Sequence, residues 1–552
     1  MLQNKKFILI LILLSFFMIF SIACQNGEDE TDGGDASDTQ DSKDTGDDKY
    51  GGTLIYGKSQ SAIALDPGVV DEGGSSTVVS QIYESLLTYN PGTAEIVPHL
   101  AKSYEISDGG KTITFKLRED VKFHDGTTMD ADAVVFSLER QNNREHPFHK
   151  HGPWKYWSSK GWSDRYNDDG SIKSEGLIES IEKVDDYTVQ ITLSEPDSSI
   201  LYNFALYFTA IVSPTAAEKY GEDFKKNPVG TGPFKFVQWV KDDTTILERN
   251  EDYWGKKAYL ERLIFKIYPD NASRVLALEK GEADIIDTPD RDNLERLAAM
   301  DRIKIQKKEG LTVGYVAINV EQEPFNDVRV RQAVNHAVNK EEIIKGVYGI
   351  LGEPGKVPLP PSLWGYNKEK SDYEYNPEKA KELLKEAGYE DGFEFDLFAM
   401  KETRPYNPNP SKVAEIMQAQ LADVGLKANI VTYEIGTYWD KVDAGEFDLA
   451  MTGWSGEGDP DDFLYNLFTK GYLNSSRWYN DEYINLVTKA KTETTIEGRA
   501  KLYKDAQEIL LEEAPIVMLA YGMLIQPMKE SVNGFVIYPS TKLELKSVWI
   551  EK

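Results

Sequence analysis

Two side chains in the C-terminal half could grip a small zwitterion between them. Arg404, in the run Arg404-Pro405-Tyr406, carries a planar fork of donors suited to a carboxylate. Asp459, at the end of the loop Gly453-Trp454-Ser455-Gly456-Glu457-Gly458-Asp459, offers an acceptor for an ammonium. Held at opposite ends of a ligand, the two would measure a short peptide by its termini and ignore its side chains. The competing reading is that both are ordinary loop charges, paired with each other. Catalysis has weaker support. Asp459, Asp461 and Asp462 could be read as paired acids, but neighbours in one acidic loop do not flank a scissile bond from two sides. Gly453-Trp454-Ser455-Gly456-Glu457 breaks the nucleophile-elbow pattern, and the sole Cys, Cys24, lies near the N-terminus.

The elements around these residues must bring them to one place. Phe393-Glu394-Phe395-Asp396-Leu397-Phe398 alternates apolar and polar, the period of a strand. Ser411 can cap a helix whose apolar positions are Val413, Ile416, Met417 and Leu421, closed by Gly425. The pattern then predicts a strand over 427–432, a short helix over 437–444 closed by Gly445, and a strand over 447–452 that opens into the acidic loop. Strand–helix–strand units with short turns make parallel sheets with right-handed crossovers. Loops leaving the carboxyl ends of such strands gather at one edge, where open α/β sheets bind ligands. That places Arg404 and Asp459 on the same edge.

From Arg404 onward, "RPYNPNPSKVAEIMQAQLADVG" and "MTGWSGEGDPDDFLYNLF" resemble the dipeptide-binding components of ABC importers, members of the extracytoplasmic solute-binding proteins of the peptide/nickel transporter family. "LAKSYEISDGGKTITFKLREDVKFHDGTTMDADAVVFSLER", "NPVGTGPFKF", "VRVRQAVNHAVNKEEIIKGVY" and "LWGYN" before "YNPEKAKELLKEAGY" extend the resemblance, in the family's order, from Tyr50 to the C-terminus. It implies an α/β fold of periplasmic-binding-protein type: two hinge-linked lobes around a cleft, with an extra small domain. It also implies a buried dipeptide, with Asp459 on the α-ammonium, Arg404 on the carboxylate, Pro405 and Tyr406 at the same end, and loop contacts from Gly456, Glu457 and Gly458. Asp71, Glu72 and Gly73 match a segment that touches the ligand backbone; by residue type alone they are a turn rich in Asp and Gly. The loop 454–459 is one residue shorter than in the dipeptide binders it resembles, and Glu457 adds a carboxylate, which leaves peptide length open. Trp454, with Trp439, Trp364 and Trp239, could instead stack on sugar rings, as in oligosaccharide-binding relatives, or simply pack. The resemblance implies small peptides and permease subunits as partners, a monomer, no enzyme activity, and neither cofactor nor metal. A surface sensor or a carrier of a metal chelate on the same fold is the remaining alternative.

Composition sets the frame. A chain of 552 residues with 40% hydrophobic and 11% aromatic residues has material for several folding units. The net charge of −30, without any Lys/Arg run, argues against nucleic acid. Lys5 and Lys6 precede the apolar run 7–20, which suits a signal peptide and is short for a spanning helix. Ser21-Ile22-Ala23-Cys24 looks like a bacterial lipoprotein cleavage site, so Cys24 is the expected lipid-anchored residue. Residues 25–49 hold ten acids against Lys43 and Lys49 and no aromatic residue, and read as a disordered tether. This combination fits a Gram-positive cell surface, with a Gram-negative periplasmic face as the alternative. The expected organisation is a signal peptide over 1–23, a tether over 24–49, lobe I from 50–82, 191–310 and 523–552, a small peripheral domain over 83–190, and lobe II over 311–522, with hinge crossings near 310 and 522.

Other motifs carry less. His146-Pro147-Phe148-His149-Lys150-His151 has ligand types, but its Pro disfavours a helix that would align them, so a surface loop is expected. Gly230-Thr231-Gly232-Pro233-Phe234 lacks the Lys-Ser or Lys-Thr of a phosphate loop. The stretch 154–169, rich in Trp, Ser and Asp, reads as irregular.

Overall fold

Two parallel units, each with the expected strand–helix–strand order, occupy opposite ends of one mixed sheet. The computed structural model describes residues 49–167, 171–471, 473–540 and 542–552. The expected signal peptide, Cys24 and nearly all of the tether lie outside the described residues.

At one end, Thr53–Lys58 runs parallel to Arg262–Ile267 and to Ile285–Ile286, and the helix Asn271–Lys280 makes the crossover. At the other, Phe393–Met400 runs parallel to Leu426–Tyr433 and to Leu449–Ser455, with crossovers through Pro410–Ala422 and Ile435–Ala444. Gly425 and Gly445, at φ 89° and 76°, supply the left-handed turns that end these two helical segments. The first of the two helices is capped by Asn409, not Ser411: Asn409 Oδ1 accepts the Lys412 N–H at 3.1 Å, and Pro410 takes the first helical position.

Two long antiparallel strands, Ile303–Ile318 and Ile516–Lys529, join the ends, so the eleven-stranded sheet among the described residues is continuous through both lobes. Their pairing slips between Glu309 and Val313, opposite Met523 and Tyr521. The expected crossings near 310 and 522 fall at this slip, where fewer ladder bonds resist bending. The architecture is thus the expected two-lobed α/β fold.

Packing explains why the lobe holding the acidic loop keeps its register. Leu397 and Leu449 face a core with Val334 and Met417, while Phe398 and Ala450 face another with Tyr438, Phe463 and Tyr503. Both faces of these strands are covered, as parallel sheets require. A separate antiparallel sheet runs in the order Ala101–Ser107, Thr112–Leu117, Thr188–Leu193, Ile178–Asp185. The stretch expected to be merely irregular feeds its core: Trp154, Trp157 and Trp162 are buried there with Phe115 and Phe204. Among the described residues, no helix is long and apolar enough to cross a membrane.

Candidate functional site

Strand Leu449–Ser455 delivers the acidic loop to the boundary between the lobes. It pairs with Ile303–Ile318 up to Ser455 opposite Thr312, and the Gly456 N–H extends the ladder by donating to the Leu311 carbonyl at 2.8 Å. Beyond that, Asp462 staples the loop: its Oδ2 accepts the Trp454 indole N–H at 3.1 Å and the Glu457 backbone N–H at 2.9 Å. Gly456 is required at this fold, since a Cβ there would lie 2.5 Å from Asp462 Oδ2 and 2.6 Å from the Phe463 ring.

Two cavities meet at this strand tip, and Ser455 lines both. One, of about 500 Å³, is walled by Arg404, Pro405, Tyr406, Trp439, Trp454 and Tyr315. The other, of about 220 Å³, gathers Glu457 and Gly456 from one lobe with Tyr83, Glu84, His99, Tyr207, Lys542 and Glu544 from the rest of the chain.

Arg404 sits in a tight turn, its backbone exchanging hydrogen bonds with Asn407 at 2.9 and 3.0 Å. Its guanidinium leans toward the Tyr406 ring, 5.8 Å from the centroid, and Nε is buried without a hydrogen-bond partner. Among the described residues Arg404 forms no ion pair, so the reading in which it pairs with Asp459 does not hold.

Asp459 is placed differently from the expectation that it would receive a ligand. It lines neither cavity. Both of its oxygens are taken by Arg499, Nη1 to Oδ2 and Nη2 to Oδ1, each at 2.8 Å, and Oδ1 also accepts the Asp461 N–H at 2.8 Å. Arg499 is itself buried beneath Trp364, with its Nε on the Ala490 carbonyl at 2.9 Å. These bonds take both acceptor positions of Oδ1 and one of Oδ2, and the carboxylate is buried away from both cavities. Close by, burial and the negative charges of Asp197 and Asp459 push the Asp461 carboxyl up to about 8, against the pull of Lys491 and Arg499.

Of the carboxylates in the acidic loop, Glu457 is the one that lines either of these two cavities. Its Oε2 lies 3.3 Å from Lys160 Nζ, and Oε1 accepts no hydrogen bond. Gly458 behind it packs so closely on Tyr89 that an added Cβ would sit 2.9 Å from the ring.

The segment 71–73 is engaged within the protein. Asp71 pairs with Lys155 at 2.5 Å, and Glu72 Oε1 caps the helix Gly73–Ile82 by accepting the Ser75 N–H at 2.8 Å. The first turns of that helix, through Ser76, Thr77 and Ser80, line the smaller cavity in their place.

Several groups at the site had no sequence signal. Glu84 is buried and accepts from Tyr253 OH at 2.6 Å, Thr231 Oγ1 at 2.8 Å and Trp254 Nε1 at 2.8 Å, with His99 Nε2 at 2.9 Å. Burial alone would raise its pKa; His99, Tyr253 and Trp254 outweigh that and hold it down to about 2. Lys160, Arg499 and Lys542 likewise come from segments remote in sequence. Of the His cluster, His146 Nδ1 accepts the Phe148 N–H at 3.2 Å, His149 Nδ1 meets the Arg140 carbonyl at 3.1 Å, and the His146 ring packs on Phe136. Among the described residues no group of three or more His, Cys, Asp or Glu is arranged to hold a metal.

Two cavities thus share Ser455 at this strand tip, one walled by Arg404, which forms no ion pair among the described residues, and the other by Glu457. The family follows from the sequence match over residues 95–475, and the chain belongs to the bacterial extracellular solute-binding proteins, family 5 Middle. It is 38% identical to the dipeptide-binding protein of Escherichia coli strain K12, the match covering 90% of this chain and 95% of that protein. It is 39% identical to heme-binding protein A of Haemophilus influenzae, over 88% of this chain and 90% of the relative. The solved structure of HbpA2 from Haemophilus parasuis superposes with a TM-score of 0.86 at 35% identity, covering 91% of this chain and all of that one. The protein is a binding protein and not an enzyme.

Proposed function

We propose that the protein captures di- and oligopeptides outside the cell and hands them to the permease subunits of an ABC importer, as a monomer held at the membrane by a lipid on Cys24. The observation that carries the ligand assignment is that Ser455 belongs to both cavities, with Arg404, which forms no ion pair among the described residues, in one and Glu457 in the other. A dipeptide extended past this strand tip places its carboxylate on Arg404 and its α-ammonium on Glu457. Glu457 takes the role that the residue pattern suggested for Asp459, because Arg499 occupies Asp459. Two extended residues span roughly 7 Å. Charge-assisted bonds to the termini are worth roughly 1.5–3 kcal/mol each and do not depend on side-chain identity. The dipeptide-binding relative supports the same solute class.

Calorimetry with free, N-acetylated and C-amidated dipeptides tests this. Each block is expected to weaken binding by more than about tenfold, as are Glu457→Gln and Arg404→Ala for the free peptide. Equal affinity for blocked and free peptides would refute the assignment.

A second reading, a large flat ligand such as heme, draws on one observation besides the heme-binding relative: Tyr315, Tyr406, Trp439 and Trp454 wall the larger cavity. A hemin titration followed by absorbance decides it.

A further inference from the structure

We propose that Lys160 is a positioning residue for the ligand: it reaches across from the small domain and fixes one oxygen of Glu457, leaving the other turned to the incoming ammonium. The inference rests on the peptide reading above and concerns the end of the site at Glu457.

The geometry is specific. Lys160 caps the short helix Lys155–Ser159, whose Trp157 is locked in the small domain's core, so the lysine's starting point is rigid. Its Nζ meets Glu457 Oε2 at 3.3 Å across 297 residues of sequence, and the two side chains are 25% and 24% exposed. This is a pair between a domain and the opposite lobe, at the wall of the ligand cavity. Glu457 lines that cavity and Lys160 does not, so the lysine holds the carboxylate from behind. The oxygen left over, Oε1, has no partner among the described residues.

A carboxylate at such a site must stay charged to receive an ammonium. The ionisable groups facing Glu457 are Lys160, Asp462 on the helix Asp461–Phe468, Tyr89 and Tyr207. Burial pushes the Glu457 carboxyl up, Lys160 pulls it back, and Asp462 pushes it up again, for a net rise. Lys160 is thus the cation facing it. On Lys160 itself burial acts downward, and the carboxylates of Glu457 and Asp462 more than reverse it. Removing the lysine leaves Glu457 beside Asp462 with nothing opposing protonation. The alternative role, a lysine that competes with the ligand for Glu457, predicts the opposite sign.

The test is calorimetry of L-alanyl-L-alanine, L-alanyl-L-phenylalanine and their N-acetyl forms against wild type, Lys160→Met, Lys160→Arg and Glu457→Gln, over about pH 5 to 9, which spans the titration of a ligand α-amine near 8. Lys160→Met is expected to weaken the free-amine peptides by about tenfold near neutral pH. It should also move the acid limb of the affinity profile to higher pH, while Lys160→Arg restores both. The inference is overturned if Lys160→Met binds as tightly as wild type or tighter, or if affinity falls with the acid limb unmoved. Loss of binding in Glu457→Gln together with an unaffected Lys160→Met refutes only this inference. An unaffected Glu457→Gln, or a wild type that binds none of these peptides, refutes the peptide reading itself.

Discussion

Asp459→Asn separates a structural charge from a ligand-binding one. In the folded protein Arg499 gives two guanidinium bonds to Asp459 and one each to the Ala490 carbonyl and Tyr503 OH, the latter at 3.0 Å. Both members of the pair are buried, at 3% and 2% exposure. Breaking a buried pair from one side leaves an uncompensated charge in a medium that solvates it poorly, and costs about 3–5 kcal/mol. Unfolding of roughly 500 residues carries an entropy near 1 kcal/mol per degree, so this corresponds to a fall in Tm of about 3–5 °C. Replacing both partners, Asp459→Leu with Arg499→Met, is expected to recover most of the loss, because no charge is then stranded. Part should remain lost, since the Asp461 N–H also donates to Asp459. Differential scanning calorimetry of the three variants gives the stability, and titration with a dipeptide gives the affinity. Asp459→Asn should lower Tm while shifting affinity far less than Glu457→Gln. An unchanged Tm together with abolished binding would refute the reasoning and return the ammonium to Asp459.

Two further perturbations probe the interlobe chamber. Glu84 has its carboxyl held from the ordinary 4.5 down to about 2, so it contributes stability that is fully present above pH 4.5 and is lost as pH falls toward 2. At neutral pH the contribution is on the order of 3 kcal/mol, and Glu84→Gln is expected to lose most of it and to flatten the acid limb of an unfolding-versus-pH curve; a limb as steep as wild type would count against it. Gly458→Val would drive a side chain into Tyr89 and the Ala94 carbonyl, 2.9 and 3.1 Å from the ideal Cβ. The acidic loop must then retreat from the opposite lobe, weakening dipeptide binding by about tenfold and raising the radius of gyration of the loaded protein in small-angle scattering; unchanged affinity would show that this contact does not matter.

What the residues declared in advance was local. Alternation over 393–398 and the helix closers Gly425 and Gly445 place a parallel unit within three residues, because those signals concern backbone groups a few positions apart. The cap is Asn409 and not Ser411 for an equally local reason, the Pro at the first helical position. Trp154, Trp157 and Trp162 looked irregular because no single period runs through them; they become a core only when the sheet from 101 to 193 folds around them. Charge roles fail to declare themselves for the same reason in sharper form. Asp459 and Glu457 stand two positions apart in one loop, and either could hold an ammonium by residue type. What divides them arrives from elsewhere: Arg499, forty residues on, consumes both oxygens of one, and Lys160, 297 residues back, takes a single oxygen of the other. A buried carboxylate becomes a staple when its partners engage both of its oxygens away from any cavity, and it stays open to a ligand when they leave one oxygen free. In this loop that difference rests on a helix and a small domain that the loop's own sequence does not mention.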